Sequence, residues 1–122
     1  MNVLIVDDEP LARDRLRNLL NRLPAHEPCG EAGNGAEALR LTKRLHPDIV
    51  LLDIQMPGLS GLETARQLAD LPQPPAVIFT TAYGQYALEA FEVQAVAYLL
   101  KPVRLERLEQ ALAGAGRINR AQ

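Results

Sequence analysis

Apolar residues in this chain fall into short unbroken runs that alternate, five times over, with stretches of helical period. Val3 to Val6 contains no polar residue, the pattern of a strand covered on both faces. Pro10 suits the first turn of a helix. Leu16, Leu19, Leu20 and Leu23 then recur at i, i+3, i+4 and i+7 until Pro24 ends it. Glu27 to Ala32 carries the weakest strand pattern. Asn34-Gly35 signals a turn, and a helix is expected from Ala36 to near Leu45, where Pro47 stops it. Asp48 to Asp53 reads as the third strand and leads into the turn-rich Met56-Pro57-Gly58-Leu59. Ser60 and Glu63 have the spacing of a capping box for a third helix, with Leu62, Ala65 and Leu68 inward.

Pro72, Pro74 and Pro75 stiffen the connection to a fourth strand, Ala76 to Thr80. A short helix over Tyr86 to Phe91 and a strand over Val96 to Leu100 follow. Leu105, Leu108, Leu112 and Ala115 give a last amphipathic helix. From Gly114 onward the sequence reads as a fraying end or the start of a linker. The expected organisation is one domain over 1–115, with 116–122 as linker or tail. Regular β-α alternation implies an α/β fold with a doubly wound, five-stranded parallel sheet. Right-handed crossovers put helices on both faces. The expected strand order is 2-1-3-4-5, a flavodoxin-like (βα)5 arrangement, in which the first and third strands are neighbours at the switch point.

Four of the runs end in a polar or charged residue, and this is where chemistry enters. Asp7 and Asp8 follow the first, Asp53 ends the third, Thr81 follows the fourth, and Lys101-Pro102 follows the fifth. Open parallel sheets place ligands in the crevice at the carboxyl ends of their strands. Three carboxylates there repel one another unless a cation neutralises them. A hard, oxygen-rich site of this kind suits Mg²⁺ together with phosphate oxygens. Taken alone, Asp7-Asp8 reads equally well as a solvated turn; an exposed lysine is the plain alternative for Lys101, and a β-branched strand residue is the less favoured alternative for Thr81; the matching strand ends favour a shared site. Asp53 is the candidate nucleophile, because an aspartate can form an acyl phosphate. Lys101 would counter negative charge, and Pro102 permits a cis peptide that would turn the lysine inward. The Thr81 hydroxyl can donate to a phosphoryl oxygen.

Composition narrows the alternatives. A net charge of -2, with 13 basic residues scattered along 122, argues against nucleic acid as a direct partner. The single cysteine, Cys29, excludes an intrachain disulfide and a cysteine-rich metal site. His26 and His46 read as surface residues. Gly33-Asn34-Gly35 lacks the spacing of a nucleotide-binding loop. No apolar segment reaches membrane-spanning length and no signal peptide is evident, so a cytoplasmic location without membrane contact is expected.

These residues resemble the receiver domain of two-component response regulators over nearly the whole chain. The matching segments are Val6-Asp7-Asp8-Glu9-Pro10, Asp48 to Gly58, Thr81-Ala82 and Tyr98-Leu99-Leu100-Lys101-Pro102. The resemblance implies that Asp53 accepts phosphate from a sensor histidine kinase. It implies Mg²⁺ on Asp8, Asp53 and the main-chain carbonyl of Gln55, with Asp7 acting through water. Lys101 and Thr81 would contact the phosphoryl group, and Tyr98 would be the aromatic switch residue. Gln55, Ala82 and Tyr83 would modulate the site, with Gln55 and bulky Tyr83 flanking the path of attacking water. No enzyme activity is implied beyond the receiver's own phosphorylation and dephosphorylation.

Pro10-Leu11-Ala12-Arg13, Phe79 to Tyr83, Tyr86 to Val93 and Tyr98 to Val103 are similar to LytR/AlgR-type regulators. The apolar and aromatic content of Tyr86 to Tyr98 points to a homodimer through the fourth helix, fifth strand and fifth helix on activation. The likeness implies DNA contact only through a C-terminal LytTR-type domain, which nothing here resembles. Ala97 departs from the acidic residue that many such receivers carry before the tyrosine. Two other readings remain. A phosphorylation-independent dimerisation or interaction module would need none of the acids. A phosphatase of the haloacid dehalogenase type would need a second acid two residues after Asp53, where Gln55 stands.

Overall fold

The computed structural model describes residues 1–120. The elements are β1 (Asn2–Val6), α1 (Pro10–Leu20), β2 (Glu27–Ala32), α2 (Gly35–Leu45), β3 (Ile49–Asp53) and α3 (Gly61–Ala69). After them come β4 (Ala76–Thr81), a 3₁₀ turn (Gly84–Tyr86), α4 (Ala87–Glu92), β5 (Ala97–Leu100) and α5 (Leu105–Arg120). All strand pairs are parallel, and the sheet order is β2-β1-β3-β4-β5. The doubly wound sheet read from the sequence is the sheet observed.

Alternation along each strand divides the core in two. Val3, Ile5, Ile49, Leu51 and Ile78 pack with Leu16, Leu19 and Leu20 of α1 and Leu108, Leu112 and Ala115 of α5. Leu4, Val6, Val50, Leu52, Val77 and Phe79 pack with Ala38 of α2, Ala65 and Leu68 of α3 and Ala90 of α4. β3 is buried on every residue, which explains the uninterrupted apolar run from Ile49 to Leu52 that precedes Asp53.

Helix ends follow the local signals with two differences. Ser60 and Glu63 form the full capping box of α3, and Asn34 caps α2 by accepting from the Glu37 N–H at 2.8 Å. α1 stops at Leu20 rather than continuing to Leu23. A tighter turn, in which Leu23 N–H donates to the Leu20 carbonyl at 2.9 Å, still delivers Leu23 to the core. α5 runs through Gly114 and Gly116 to Arg120, where fraying was expected from Gly114. Ala115, wholly buried between those glycines, belongs to the core against β1, and this packing outweighs a helix penalty of about 1 kcal/mol per glycine. Ala121 and Gln122, the end of the expected linker, lie outside the described residues.

Gly61 is where α3 meets the end of β3. Its N–H donates to the Ile54 carbonyl at 2.8 Å, and a Cβ there would fall on the Asp53 carbonyl and 2.6 Å from the Ile54 Cα. Both obstacles are main chain, so neither can step aside cheaply. Gly61→Ala is therefore expected to cost about 2–3 kcal/mol by urea denaturation. A variant as stable as the parent would contradict this close approach.

Candidate functional site

The polar residues at the strand ends meet in one crevice. The backbone carries β1 one residue further, with the Asp7 N–H donating to the Ala32 carbonyl at 3.1 Å. On the far side, the Lys101 N–H donates to the Thr81 carbonyl at 2.7 Å, extending β5 alongside β4. The Lys101-Pro102 peptide is cis. Lys101 spans the crevice: Nζ donates to Asp7 Oδ2 at 2.8 Å and lies 3.4 Å from Asp53 Oδ1. The other Asp7 oxygen accepts from the Glu9 N–H at 2.9 Å. Asp7 has no exposed surface and Asp53 only 4%, whereas Asp8 is more open.

One oxygen from each of Asp7, Asp8 and Asp53 can be chosen so that all three lie within 4.8 Å of one another. Three carboxylates against one ammonium leave the crevice short of positive charge. Burial, then the charge of Asp7, push the Asp53 carboxyl up to about 7, while Lys101 pulls the other way. Burial opposes the charge of Lys101. The hydrogen bond to Asp7 and the charge of Asp53 outweigh that and hold the ammonium above its ordinary value. The cluster suits a hard divalent cation, which would supply the missing charge through oxygen ligands of the type present.

Thr81 is buried at the end of β4, where its Oγ1 accepts from the Tyr83 N–H at 3.1 Å and keeps its own proton to donate. Ala82 and Tyr83 are exposed beside it. Tyr98, half-buried on β5, donates its hydroxyl proton to the Tyr83 carbonyl and accepts from the Tyr86 N–H at 3.2 Å. Gln55, exposed, donates from Nε2 to the Tyr86 hydroxyl at 2.7 Å. The sequence-predicted residues thus form two connected groups: the acids with Lys101, and Gln55 with the tyrosines around the 3₁₀ turn.

Two contributors carried no role in the sequence reading. Arg13 Nη1 donates to the Asp7 carbonyl at 2.6 Å, and its Nε lies 3.4 Å from Glu31 Oε1. Arg17 also grips Glu31, at 2.5 Å. The available signal was a cation near the N-terminal end of α1, where the helix dipole disfavours one. Tyr86 is the other, and nothing local marks it, because both its partners come from other elements.

Residues 3–113 match the family described as the response regulator receiver domain. The chain belongs to the response regulator receiver family. It is 59% identical to the positive alginate biosynthesis regulatory protein of Pseudomonas aeruginosa, covering 100% of this chain and 50% of that protein. It is 50% identical to the sensory transduction protein LytT of Bacillus cereus, over 92% of this chain and 46% of that one. Among solved structures, the response regulatory domain of protein mrkE from Klebsiella pneumoniae superposes with a TM-score of 0.89 at 33% identity, each chain covered in full. This receiver therefore spans about half the length of the curated relatives it matches. It carries the three-aspartate cluster typical of phospho-accepting response regulators. No helix among the described residues is long and apolar enough to cross a membrane.

Proposed function

We propose that Asp53 accepts a phosphoryl group from the phosphohistidine of a sensor histidine kinase and that the receiver then presents a dimerisation face. The supporting observation is the Lys101 ammonium shared between Asp7 and Asp53 on the floor of the crevice. An Asp53 carboxylate oxygen forms the new bond to phosphorus, and the bond from phosphorus to the imidazole nitrogen breaks; the electron pair stays on that nitrogen, and a proton on the other ring nitrogen, taken from solvent, makes the departing histidine neutral. Mg²⁺ held by Asp8, Asp53 and the Gln55 main-chain carbonyl, with Asp7 acting through water, would neutralise the phosphoryl oxygens as they approach. The two partners already held by Asp7 suit it to an indirect role. Lys101 and the Thr81 hydroxyl take the remaining oxygens, so transfer is achieved by positioning and charge compensation.

Phosphorylation brings about -1.5 to -2 charge and three acceptor oxygens next to Thr81. When the Thr81 hydroxyl turns to them, the Tyr83 N–H loses its partner and the main chain at Tyr83, just ahead of the 3₁₀ turn, is released. Tyr98, bonded to both ends of that turn, follows. Its ring is then free to move inward, reshaping the face of α4, β5 and α5. Leu88 and Phe91 on α4 are 67% and 78% exposed, and Leu100 on edge strand β5 is 55% exposed. An apolar patch of this kind suits a second copy of the chain. The half-length match to proteins described as regulators supports transcription as the output, through a LytTR-type domain beyond this receiver. A location in the cytoplasm, beside the kinase's phosphohistidine, goes with this role.

The test is intact mass after incubation with acetyl phosphate and Mg²⁺. A single phosphoryl adduct that disappears when EDTA is added beforehand is expected. A folded protein that never acquires one would favour the phosphorylation-independent module. Sedimentation of the same samples is expected to show a dimer only after phosphorylation; identical monomers in both would remove the proposed output face.

A further inference from the structure

Gln55 stands two residues from the phosphoacceptor, and its side chain is not free. Its amide Nε2 is bonded to the Tyr86 hydroxyl at 2.7 Å, linking the segment after β3 to the 3₁₀ turn before α4. The two residues line the same open cavity of about 490 Å³, with Ile54 and Met56 among its walls. In the unphosphorylated protein the Tyr86 main-chain N–H is also held by the Tyr98 hydroxyl, 3.2 Å away, while the side-chain bond to Gln55 does not depend on Tyr98. Tyr86 touches none of the acids, Lys101 or Thr81 through any hydrogen bond, so the proposed transfer leaves it without a task.

We infer that Tyr86 is a positioning residue that sets the lifetime of the phosphoryl group by holding the Gln55 amide toward the 3₁₀ turn and away from the phosphoryl face of Asp53. This rests on the reading of Asp53 as the phosphoacceptor. A glutamine amide beside a phosphoryl group is chemically able to orient an attacking water, as glutamines do in GTP hydrolysis. In the hydrolysis at stake, the water oxygen bonds to phosphorus and the bond from phosphorus to the Asp53 carboxylate oxygen breaks. The electron pair stays on the carboxylate, and the water's proton leaves to phosphate or solvent. An exposed glutamine without a tether samples many rotamers, some of which place its amide against that water. Bonded to Tyr86, it is withheld. The Tyr86 side chain thereby acts on the reaction only through Gln55.

The experiment compares wild type, Tyr86→Phe, Gln55→Met and the double variant. Each is loaded with acetyl phosphate and Mg²⁺, freed of excess donor, and followed by intact mass as the adduct decays. Tyr86→Phe keeps the ring and its packing, and thermal melts confirm folding. It is expected to shorten the lifetime roughly three- to tenfold, the rate equivalent of one hydrogen bond. Gln55→Met is expected to decay no faster than wild type, and adding Tyr86→Phe to it is expected to change nothing. Equal lifetimes for wild type and Tyr86→Phe would overturn the inference. So would a shortening that persists in the Gln55→Met background, because a merely structural tyrosine would act regardless of residue 55. Absence of an adduct on wild type would overturn the phosphoacceptor reading, and the role of Tyr86 with it. Normal adducts with unaltered decay would overturn the role of Tyr86 alone.

Discussion

Asp53→Asn is expected to form no phosphoryl adduct and, without metal, to be more stable than the parent at pH 8. The first effect follows from chemistry, since an amide cannot form the acyl phosphate. The second follows from the crevice. Asp53 titrates near 7 in the folded protein against 3.8 as the ordinary value, chiefly because of burial and then the charge of Asp7. Between those two pH values the folded state holds a proton that the unfolded chain has released. Stability therefore falls as pH rises from about 4 through about 7. Asparagine has no charge to bury, so its advantage grows over the same window and levels off above it. Thermal melts from pH 5 to pH 8 with EDTA would measure this, with both proteins compared in each buffer. A parent that gains stability on Asp53→Asn equally at pH 5 and pH 8 would contradict it. Added Mg²⁺ is expected to narrow the difference at pH 8, since a bound cation stabilises only the form that binds it.

Lys101→Met is expected to lower the rate of phosphorylation by roughly 10²- to 10³-fold, the usual cost of removing one preorganised group that stabilises transition-state charge. The lysine is 2.8 Å from Asp7 and 3.4 Å from Asp53, so its loss also leaves two buried carboxylates with no cation. Methionine preserves most of the stem, which lines a separate cavity beside Leu16, Thr80 and Val103. A loss of stability is expected alongside the kinetic effect, so the comparison is made below the melting range of both proteins. Adduct formation followed over time by intact mass at saturating Mg²⁺ gives the rate. A variant phosphorylated within a few-fold of wild type would show that Lys101 serves only to hold Asp7.

What could be read from the chain beforehand was governed by how local the cause is. Asp7, Asp8, Asp53, Thr81 and Lys101 were legible because each ends an apolar run, and a parallel sheet brings strand ends together whatever the side chains are. Ser60 and Glu63 were legible because a capping box is written within four residues. The end of α1 and the persistence of α5 past Gly114 were not. Both are decided by what Leu23 and Ala115 touch in the core, far from them in sequence. Arg13 and Tyr86 escaped for the same reason. Arg13 acts on the main chain of β1 and on Glu31 of β2, while Tyr86 joins Gln55 to Tyr98 across three elements. Long polar side chains reach partners that periodicity does not encode.

Phosphorylation at Asp53 alone, among the three clustered carboxylates, is open to direct chemical mapping. Borohydride reduction of the acetyl-phosphate-treated protein converts an acyl phosphate to an alcohol at the residue that carried it, and peptide mass then locates that residue. A single Mg²⁺-dependent reduction at position 53 is expected. Reduction at Asp7, Asp8 or any other acid, or none on a protein that binds Mg²⁺, would contradict it.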